Sequence, residues 1–274
     1  MPPHLNAKKL QLEPVRNSFL SRHPAGEVIY FDTIDSTNLR ASRLGRQGSA
    51  GTALIVSESQ TSGKGRLDRK WYSPPHVNLY FSVLFRPEIT PQLSSWIPIV
   101  AGVAAVKGIR RATGLSPKLK WPNDLLFGEK KCAGILAENH IMAGRLNFVV
   151  IGIGVNVNMT EFPSEISSRA TSLCIEKGAP VSRENLLIQI LECLDIEFEI
   201  LYREGPDPAR QEWIRESCTI GREVSVSVGP KRVAGRAVDL DDHGGLIVIQ
   251  EEGVPTTLLT GDLVQEEGPA PAGP

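Results

Sequence analysis

The sequence predicts an α+β fold: a mixed β-sheet with helices packed on it, followed by a small C-terminal β-barrel. Three observations carry this. Short apolar runs bounded by turn residues alternate with helical periodicities from Val28 onward. The segment Ser94 to Thr113 places Ile97, Val100, Ala101, Ala104 and Ile109 at helical spacing with few polar interruptions, which is the pattern of a buried helix. Beyond Gly221 the texture changes to short alternating stretches with tight turns, as in Val224, Val226 and Val228 and then Leu246 to Ile249.

The elements follow in order. Val28 to Phe31 is a strand, and Asp35-Ser36-Thr37-Asn38 opens a short helix with Ser36 as N-cap and Gly45 and Gly48 near its end. Ala53 to Val56 is a strand that feeds a glycine loop, and Asn78 to Phe85 is the strand after it. The helix over Ser94 to Thr113 tolerates Pro98 in its first turn and stops at Gly114. Leu119 to Trp121, Gly134 to Glu138 and Phe148 to Gly154 are three further strands, separated by a turn at Pro122-Asn123-Asp124 and another at Ala143-Gly144. Ser182 caps a long amphipathic helix that ends at Gly205-Pro206 and is expected to cover one face of the sheet. These boundaries divide the chain into an extension over 1–27, a main domain over 28–217, a barrel over 221–264 and a polar, Pro- and Gly-rich tail over 265–274, expected to be disordered.

Composition narrows the function classes. A 274-residue chain that is 41% hydrophobic and 22% charged is an ordinary globular protein, and its formal net charge of −1 gives no global attraction to nucleic acid or to an anionic membrane. No run of about 18 consecutive apolar residues marks a membrane span, and no leader segment is evident, so the cytoplasm is the expected location. The four cysteines are spread without metal-ligand spacing, so neither disulfide nor zinc is assigned.

Chemistry is concentrated in a few stretches. Gly63-Lys64-Gly65-Arg66, with Arg69 and Trp71 close behind, combines bare backbone, cations and an indole, which suits an anionic, nucleotide-like ligand. Lys120-Trp121-Pro122-Asn123-Asp124 gathers an ammonium, an amide and a carboxylate at a strand end. Lys131 precedes the small, apolar Cys132-Ala133-Gly134-Ile135 and faces an edge or cleft. Gly152-Ile153-Gly154 lacks the third glycine and the following helix of a dinucleotide fingerprint, so it reads as a strand whose glycines admit a close neighbour. A Walker loop fails because no Ser or Thr follows Lys64, and the histidines form no triad.

Taken in order, these stretches resemble the catalytic region of biotin protein ligases. The matching pieces are Asp35 to Asn38; Gln60 with Gly63 to Arg66, Arg69, Trp71 and Ser73-Pro74; Lys120 to Asp124; Lys131 before Ala133 to Leu136; and Gly152 to Asn156. The resemblance covers residues 28–160 and, more loosely, the terminal barrel. It implies a catalytic domain like that of class II aminoacyl-tRNA synthetases and an SH3-like C-terminal domain. It further implies an ATP-dependent reaction, with Mg²⁺, that activates biotin as biotinyl-5′-AMP and transfers it to a lysine of a biotin carboxyl carrier protein, such as an acetyl-CoA carboxylase subunit.

By the same resemblance, Ser36, Thr37, Asn38, Gln60, Gly63, Lys64, Gly65, Arg66 and Lys131 are expected at biotin. Lys64, Arg66, Arg69, Trp71, Lys120, Asn123 and Asn156 are expected at the nucleotide. Lys131, Arg66 and Asp124 carry the catalytic roles, no residue is assigned to metal, and a homodimer is expected. Lys64 stands where the family usually has arginine, and Leu67-Asp68 where it usually has Arg-Gly, so the planar fork of a guanidinium is lost at position 64. Two rivals remain: a lipoate or octanoate ligase or transferase, and a biotin-responsive transcription repressor. The second is opposed by an extension of about 27 residues with four prolines, too short for a two-helix DNA-binding unit.

Overall fold

The structure is a computed structural model in which residues 8–48, 51–67, 69–90, 92–229 and 231–265 are described. Asp68, Pro230, the start of the extension over 1–7 and nearly all of the expected disordered tail, 266–274, lie outside them. A seven-stranded mixed sheet runs in the order β1-β2-β3-β7-β6-β5-β4. Its strands are β1 (Glu27–Ile34), β2 (Ala53–Gln60), β3 (Leu79–Phe85), β4 (Lys118–Lys120), β5 (Asp124–Phe127), β6 (Lys130–Met142) and β7 (Arg145–Val155). Only β1 and β2 pair in parallel, through the crossover helix α2 (Thr37–Arg46); the remaining neighbours are antiparallel.

The side chains of this sheet sort onto two faces. Leu79, Phe81, Ile151, Ile153 and Val155 join the main apolar core, whereas Ile55, Leu84, Phe148 and Val150 form a smaller cluster under α2. Alternation along each strand therefore sends one set toward the bulk of the helices and the other toward α2. Ser36 caps α2 by accepting the Leu39 amide at 3.5 Å, as its sequence position requires. The mixed sheet and the helices on it are as expected.

Helix α3 (Ile97–Thr113), entered by a 3-10 turn over Leu93–Trp96, is buried along most of its length and ends at Gly114 with φ 78°. By length and mean hydropathy the segment Leu93–Thr113 is apolar enough to cross a membrane, although Lys107, Arg110 and Arg111 interrupt it, and 72% of its most apolar stretch is buried within the fold. The long helix α5 (Arg183–Glu204), capped by Ser182, differs from its expected role. It packs chiefly along α3, where a side chain at Gly108 would meet the Ile190 backbone at 2.6 Å, and reaches the sheet through the Phe85–Phe198 ring contact at 5.0 Å. Small residues on α3 let the two axes approach, so α5 forms a second helical layer instead of covering the sheet directly.

Four further elements were not anticipated. The extension holds α1 (Leu12–Arg22), whose Val15 and Phe19 are buried, so it is part of the main domain. A short helix α4 (Leu173–Lys177) and α6 (Asp207–Glu216), which buries Trp213, flank α5 in sequence. Asp124 does not end a turn: it begins β5, which hairpins onto β4 and places Asp124 opposite Lys120.

The C-terminal strands β8 (Glu223–Val228), β9 (Lys231–Leu240), β10 (Leu246–Ile249), β11 (Pro255–Leu258) and β12 (Asp262–Gln265) make a separate five-stranded antiparallel sheet, ordered β11-β10-β9-β8-β12. Val224, Val226, Ala237, Leu240, Leu246 and Val248 belong to the same apolar core as α3 and the main sheet. Trp96 Nε1 donates to the Asp242 carbonyl at 2.8 Å, and Arg210 pairs with Asp239 at 2.7 Å. The small domain is thus fused onto the large one.

Candidate active site

A cavity of about 790 Å³ opens on the α2 face of the sheet, walled by α2, the loop after β2, the β4–β5 hairpin, the start of β6 and the turn before β12. Every residue expected at the site lines it except Gly63. Gly63 is buried behind the loop: its carbonyl accepts the Trp71 amide at 2.9 Å, and an added Cβ would meet the Trp71 carbonyl at 2.6 Å. Its role is to let the two arms of the loop close on one another.

One half of the cavity is a buried polar recess. Ser36, Thr37 and Asn38 are buried at the N-terminus of α2. Gln60, at the end of β2, accepts the Thr37 amide at 2.9 Å through Oε1 and donates from Nε2 to Ser73 Oγ at 3.1 Å. Ser73 in turn donates to the Trp71 carbonyl at 3.0 Å. Asn38, expected at the ligand, has its whole amide committed to protein: Nδ2 to the Leu136 carbonyl at 3.2 Å and to Glu138 Oε2 at 2.9 Å, and Oδ1 to Ser82 Oγ at 2.6 Å. It braces the recess.

Gly152 and Gly154 form the floor. A Cβ at Gly152 would fall 1.8 Å from Asn38 Oδ1, and one at Gly154 would fall 2.6 Å from the Trp71 indole. The Gly-x-Gly of β7 therefore admits the Asn38 amide and the indole at those two points, the close approach its sequence suggested. Trp71 lies against the strand with its Nε1 buried and unpartnered.

The other half is cationic. Lys131 Nζ sits 2.5 Å from Asp124 Oδ1 and 5.2 Å from the Trp71 ring centre. Its main chain is clamped by the segment after β7, since its amide donates to the Arg169 carbonyl at 2.9 Å and its carbonyl accepts the Thr171 amide at 3.0 Å. Asn156 Nδ2 donates to the Thr171 carbonyl at 3.0 Å, and Asn123 Nδ2 to the Ile135 carbonyl at 2.7 Å, so both amides hold backbone at the cavity edge. Lys120 lines the same wall.

The loop after β2 folds as a tight hairpin, with the Gly65 amide on the Arg69 carbonyl at 2.7 Å. Leu67 has φ 52°, a left-handed conformation that costs a leucine about 1 kcal/mol. Arg66 reaches the C-terminal domain: Nη2 donates to Thr260 Oγ1 at 2.7 Å and Nη1 to the Gly261 carbonyl at 3.4 Å. Arg69 pairs with Asp262 at 2.5 Å. Burial draws the Arg66 pKa below its ordinary value, partly offset by the negative charges of Asp262 and Asp124. The group stays protonated, and in so confined a place its field on a ligand is less screened than at the surface.

Sequence reasoning missed Ser82, Glu138 and the Thr260–Asp262 turn, all far away along the chain. The alternation of β3 puts Ser82 on the same side as Tyr80 and Leu84, toward α2, and that was the available signal. Nothing local marks the turn.

Residues 30–156 match the Biotin/lipoate A/B protein ligase family and residues 219–265 the Biotin protein ligase C terminal domain. Bifunctional ligase/repressor BirA of Bacillus spizizenii is 32% identical over 248 residues, covering 90% of this chain and 76% of that protein. Biotin–[acetyl-CoA-carboxylase] ligase of Mycobacterium tuberculosis is 33% identical over 216 residues, covering 77% and 78%. The structure of the biotin protein ligase from Aquifex aeolicus in complex with biotin and ATP aligns at 30% identity and a TM-score of 0.76, over 88% of this chain and 99% of that one. With family matches in both domains and relatives above 30% identity aligned over most of their own length, the chain belongs to the biotin protein ligase family.

Proposed function

We propose that the two halves of the cavity are the two substrate subsites of an ATP-dependent biotin ligase, the polar recess taking the fused-ring head of biotin and the cationic half its carboxylate and the nucleotide. The observation that carries this reading is that one continuous cavity joins a buried hydroxyl-and-amide recess to Lys64, Arg66, Arg69, Lys120 and Lys131. A neutral cyclic urea suits the first and a triphosphate the second.

In the first step a biotin carboxylate oxygen attacks the α-phosphorus of ATP. The new P–O bond makes biotinyl-AMP, and the α–β bond breaks to release pyrophosphate. Lys131 and Arg66 neutralise the two anions and hold them at attack distance, which is where the rate comes from, since no protein nucleophile is needed. Among the described residues no three His, Cys, Asp or Glu side chains are placed to hold a metal ion. Mg²⁺ would enter with ATP, where its charge would help neutralise the triphosphate.

In the second step a carrier lysine amine attacks the acyl carbon, forming the amide and expelling AMP. Asp124, one of three carboxylates lining the cavity and the one paired to Lys131, orients this amine and takes its proton. The partner is the biotin carboxyl carrier domain of an acetyl-CoA carboxylase or a related enzyme. We place the chain in the cytoplasm, as a homodimer in solution, with an SH3-like C-terminal domain.

The test is ATP–pyrophosphate exchange with biotin or lipoate as the acid, followed by transfer to a carrier domain. Exchange is expected with biotin alone. Exchange driven by lipoate and not by biotin transfers the chain to the lipoate branch, and exchange with neither removes the reading.

A further inference from the structure

Two of the recess hydroxyls, Ser82 and Ser73, and both of its amides have a forced direction of hydrogen bonding. The Leu136 carbonyl and the Glu138 carboxylate both accept from Asn38 Nδ2, so the Asn38 amide has only one allowed orientation, with Oδ1 as an acceptor. Ser82, which is fully buried, lies 2.6 Å from that oxygen and 2.8 Å from Thr37 Oγ1. Its single hydrogen must go to Asn38 Oδ1. Ser82 Oγ is then an acceptor toward Thr37, and the hydrogen of Thr37 is drawn inward to it.

The opposite end of the relay agrees. The Thr37 amide fixes Gln60 Oε1 as an acceptor, and the Trp71 carbonyl takes the hydrogen of Ser73, so Gln60 Nε2 must donate to Ser73. Gln60 Oε1, 3.2 Å from Thr37 Oγ1, offers that hydroxyl a longer bond that already competes with the amide. By either route the Thr37 hydrogen is used within the protein. Toward the cavity Thr37 Oγ1 shows lone pairs alone, while its neighbour Ser36, which accepts the Leu39 amide, keeps its own hydrogen uncommitted.

We infer that Ser82, backed by Asn38 and Glu138, is a specificity-determining positioning residue: it sets Thr37 as an obligate acceptor, so that the recess selects an acid whose head group brings an N–H there. The inference rests on the biotin reading above. The selected pattern, an acceptor beside a donor on the protein, is the complement of one N–H and the C=O of a cyclic urea. A dithiolane offers neither. A buried acceptor left without its donor loses far more than a missing apolar contact would, which makes the relay a means of rejecting near-isosteric acids.

The test compares biotin with biotin methylated on one ureido nitrogen, both isomers, by calorimetric Kd on the wild type and on Ser82→Ala, with thermal unfolding as the control for folding. The wild type is expected to prefer biotin over the worse isomer by about 100-fold or more. In Ser82→Ala the Thr37 hydrogen keeps only the longer bond to Gln60 Oε1, which the Thr37 amide already occupies, so it can turn into the cavity, and that preference is expected to shrink by about tenfold, close to one hydrogen bond at 1.4 kcal/mol per decade. An unchanged preference, with both ligands weakened equally, overturns the inference and leaves Ser82 as packing. If Ser82→Ala does not fold, Ser82→Cys, with a weaker donor of similar size, should give a smaller loss of preference, and no loss overturns the inference equally. A wild type that binds neither biotin nor its methylated forms, and shows no biotin-dependent pyrophosphate exchange, would instead remove the functional reading itself.

Discussion

The two halves of the cavity are built in opposite ways. The recess around Ser36, Thr37 and Gln60 is part of the folded core: Ser36 and Thr37 are 1% and 4% exposed, and the side chains behind them bond to one another. In the cationic half, Arg69 is 67% exposed at its side chain, and both Arg66 and Arg69 are held by partners of the C-terminal domain, at Thr260 in the turn before β12 and at Asp262. One subsite is set by folding itself; the other keeps its charges on exchangeable contacts that a nucleotide can replace. Substitutions in the first should therefore be felt as stability or ligand discrimination, and in the second as rate.

The largest expected effect lies behind the recess. Glu58, two residues before Gln60 on β2, is 1% exposed and pairs with Arg183 of α5 at 2.7 Å; Arg183 also donates to the Asn78 carbonyl at 3.0 Å and to the Lys8 carbonyl. Burial alone would raise the Glu58 pKa, but the hydrogen bond from Arg183, with help from the Leu10 amide and the Tyr30 hydroxyl, holds it below the ordinary glutamate value. A depressed carboxylate contributes its full stabilisation above the unfolded pKa, about 4.3, and loses it as pH falls through the lower folded value. Arg183→Met leaves that carboxylate buried without its guanidinium partner, at an expected cost of about 3 kcal/mol at pH 7. Denaturant unfolding of both proteins should show the gap closing toward acid. A gap that is constant with pH would mean that the charge plays no part.

Lys131→Ala is expected to lower biotin-dependent pyrophosphate exchange by about 10²–10³ while moving the unfolding midpoint little, because the ammonium is partly exposed and its salt bridge to Asp124 is local. Arg66→Ala should behave similarly. If either variant lost stability and kept its exchange rate, the division between a folded subsite and a kinetic one would fail. Gly152→Ala tests the recess from below. The new methyl must displace the Asn38 amide, so the KM for biotin is expected to rise by about tenfold with the KM for ATP unchanged, measured in the same assay.

Most of this division could be read from the chain, and the part that could not has a physical cause. Most of the main-sheet strands and the buried helix followed from periodicity and turn chemistry, and the ordered motifs supplied site residues of which all but Gly63 line the cavity, because those are properties of neighbouring residues. What escaped was either too short to show a period, as β5 is at four residues, or was set by contacts across the fold. Asn38 sits within the N-terminal motif and looked like a ligand contact, yet its partners Leu136 and Glu138 are about a hundred positions away. The hold on Arg66 and Arg69 comes from a turn nearly two hundred residues later, in a segment with no motif of its own. Helix α6 was legible in principle, since Ala209, Trp213 and Glu216 fall on one face behind an Asp-Pro start.

The smallest effect is expected at Asp262. Its pair with Arg69 is exposed on both sides, and such pairs are worth about 0–1 kcal/mol. Asp262→Ala should therefore leave the unfolding midpoint in place. If the pair holds Arg69 away from phosphate, its loss should lower the KM for ATP by up to about fivefold in low salt, a bound set by that same 1 kcal/mol, and the advantage should fade as salt screens the pair in the wild type as well. If Asp262 instead helps to form the nucleotide site, the KM for ATP will rise and the kcat will fall with it. The sign of the change in KM separates a contact that the nucleotide must displace from one that the nucleotide needs, and only the first agrees with a cationic half whose arginines are on loan from the C-terminal sheet.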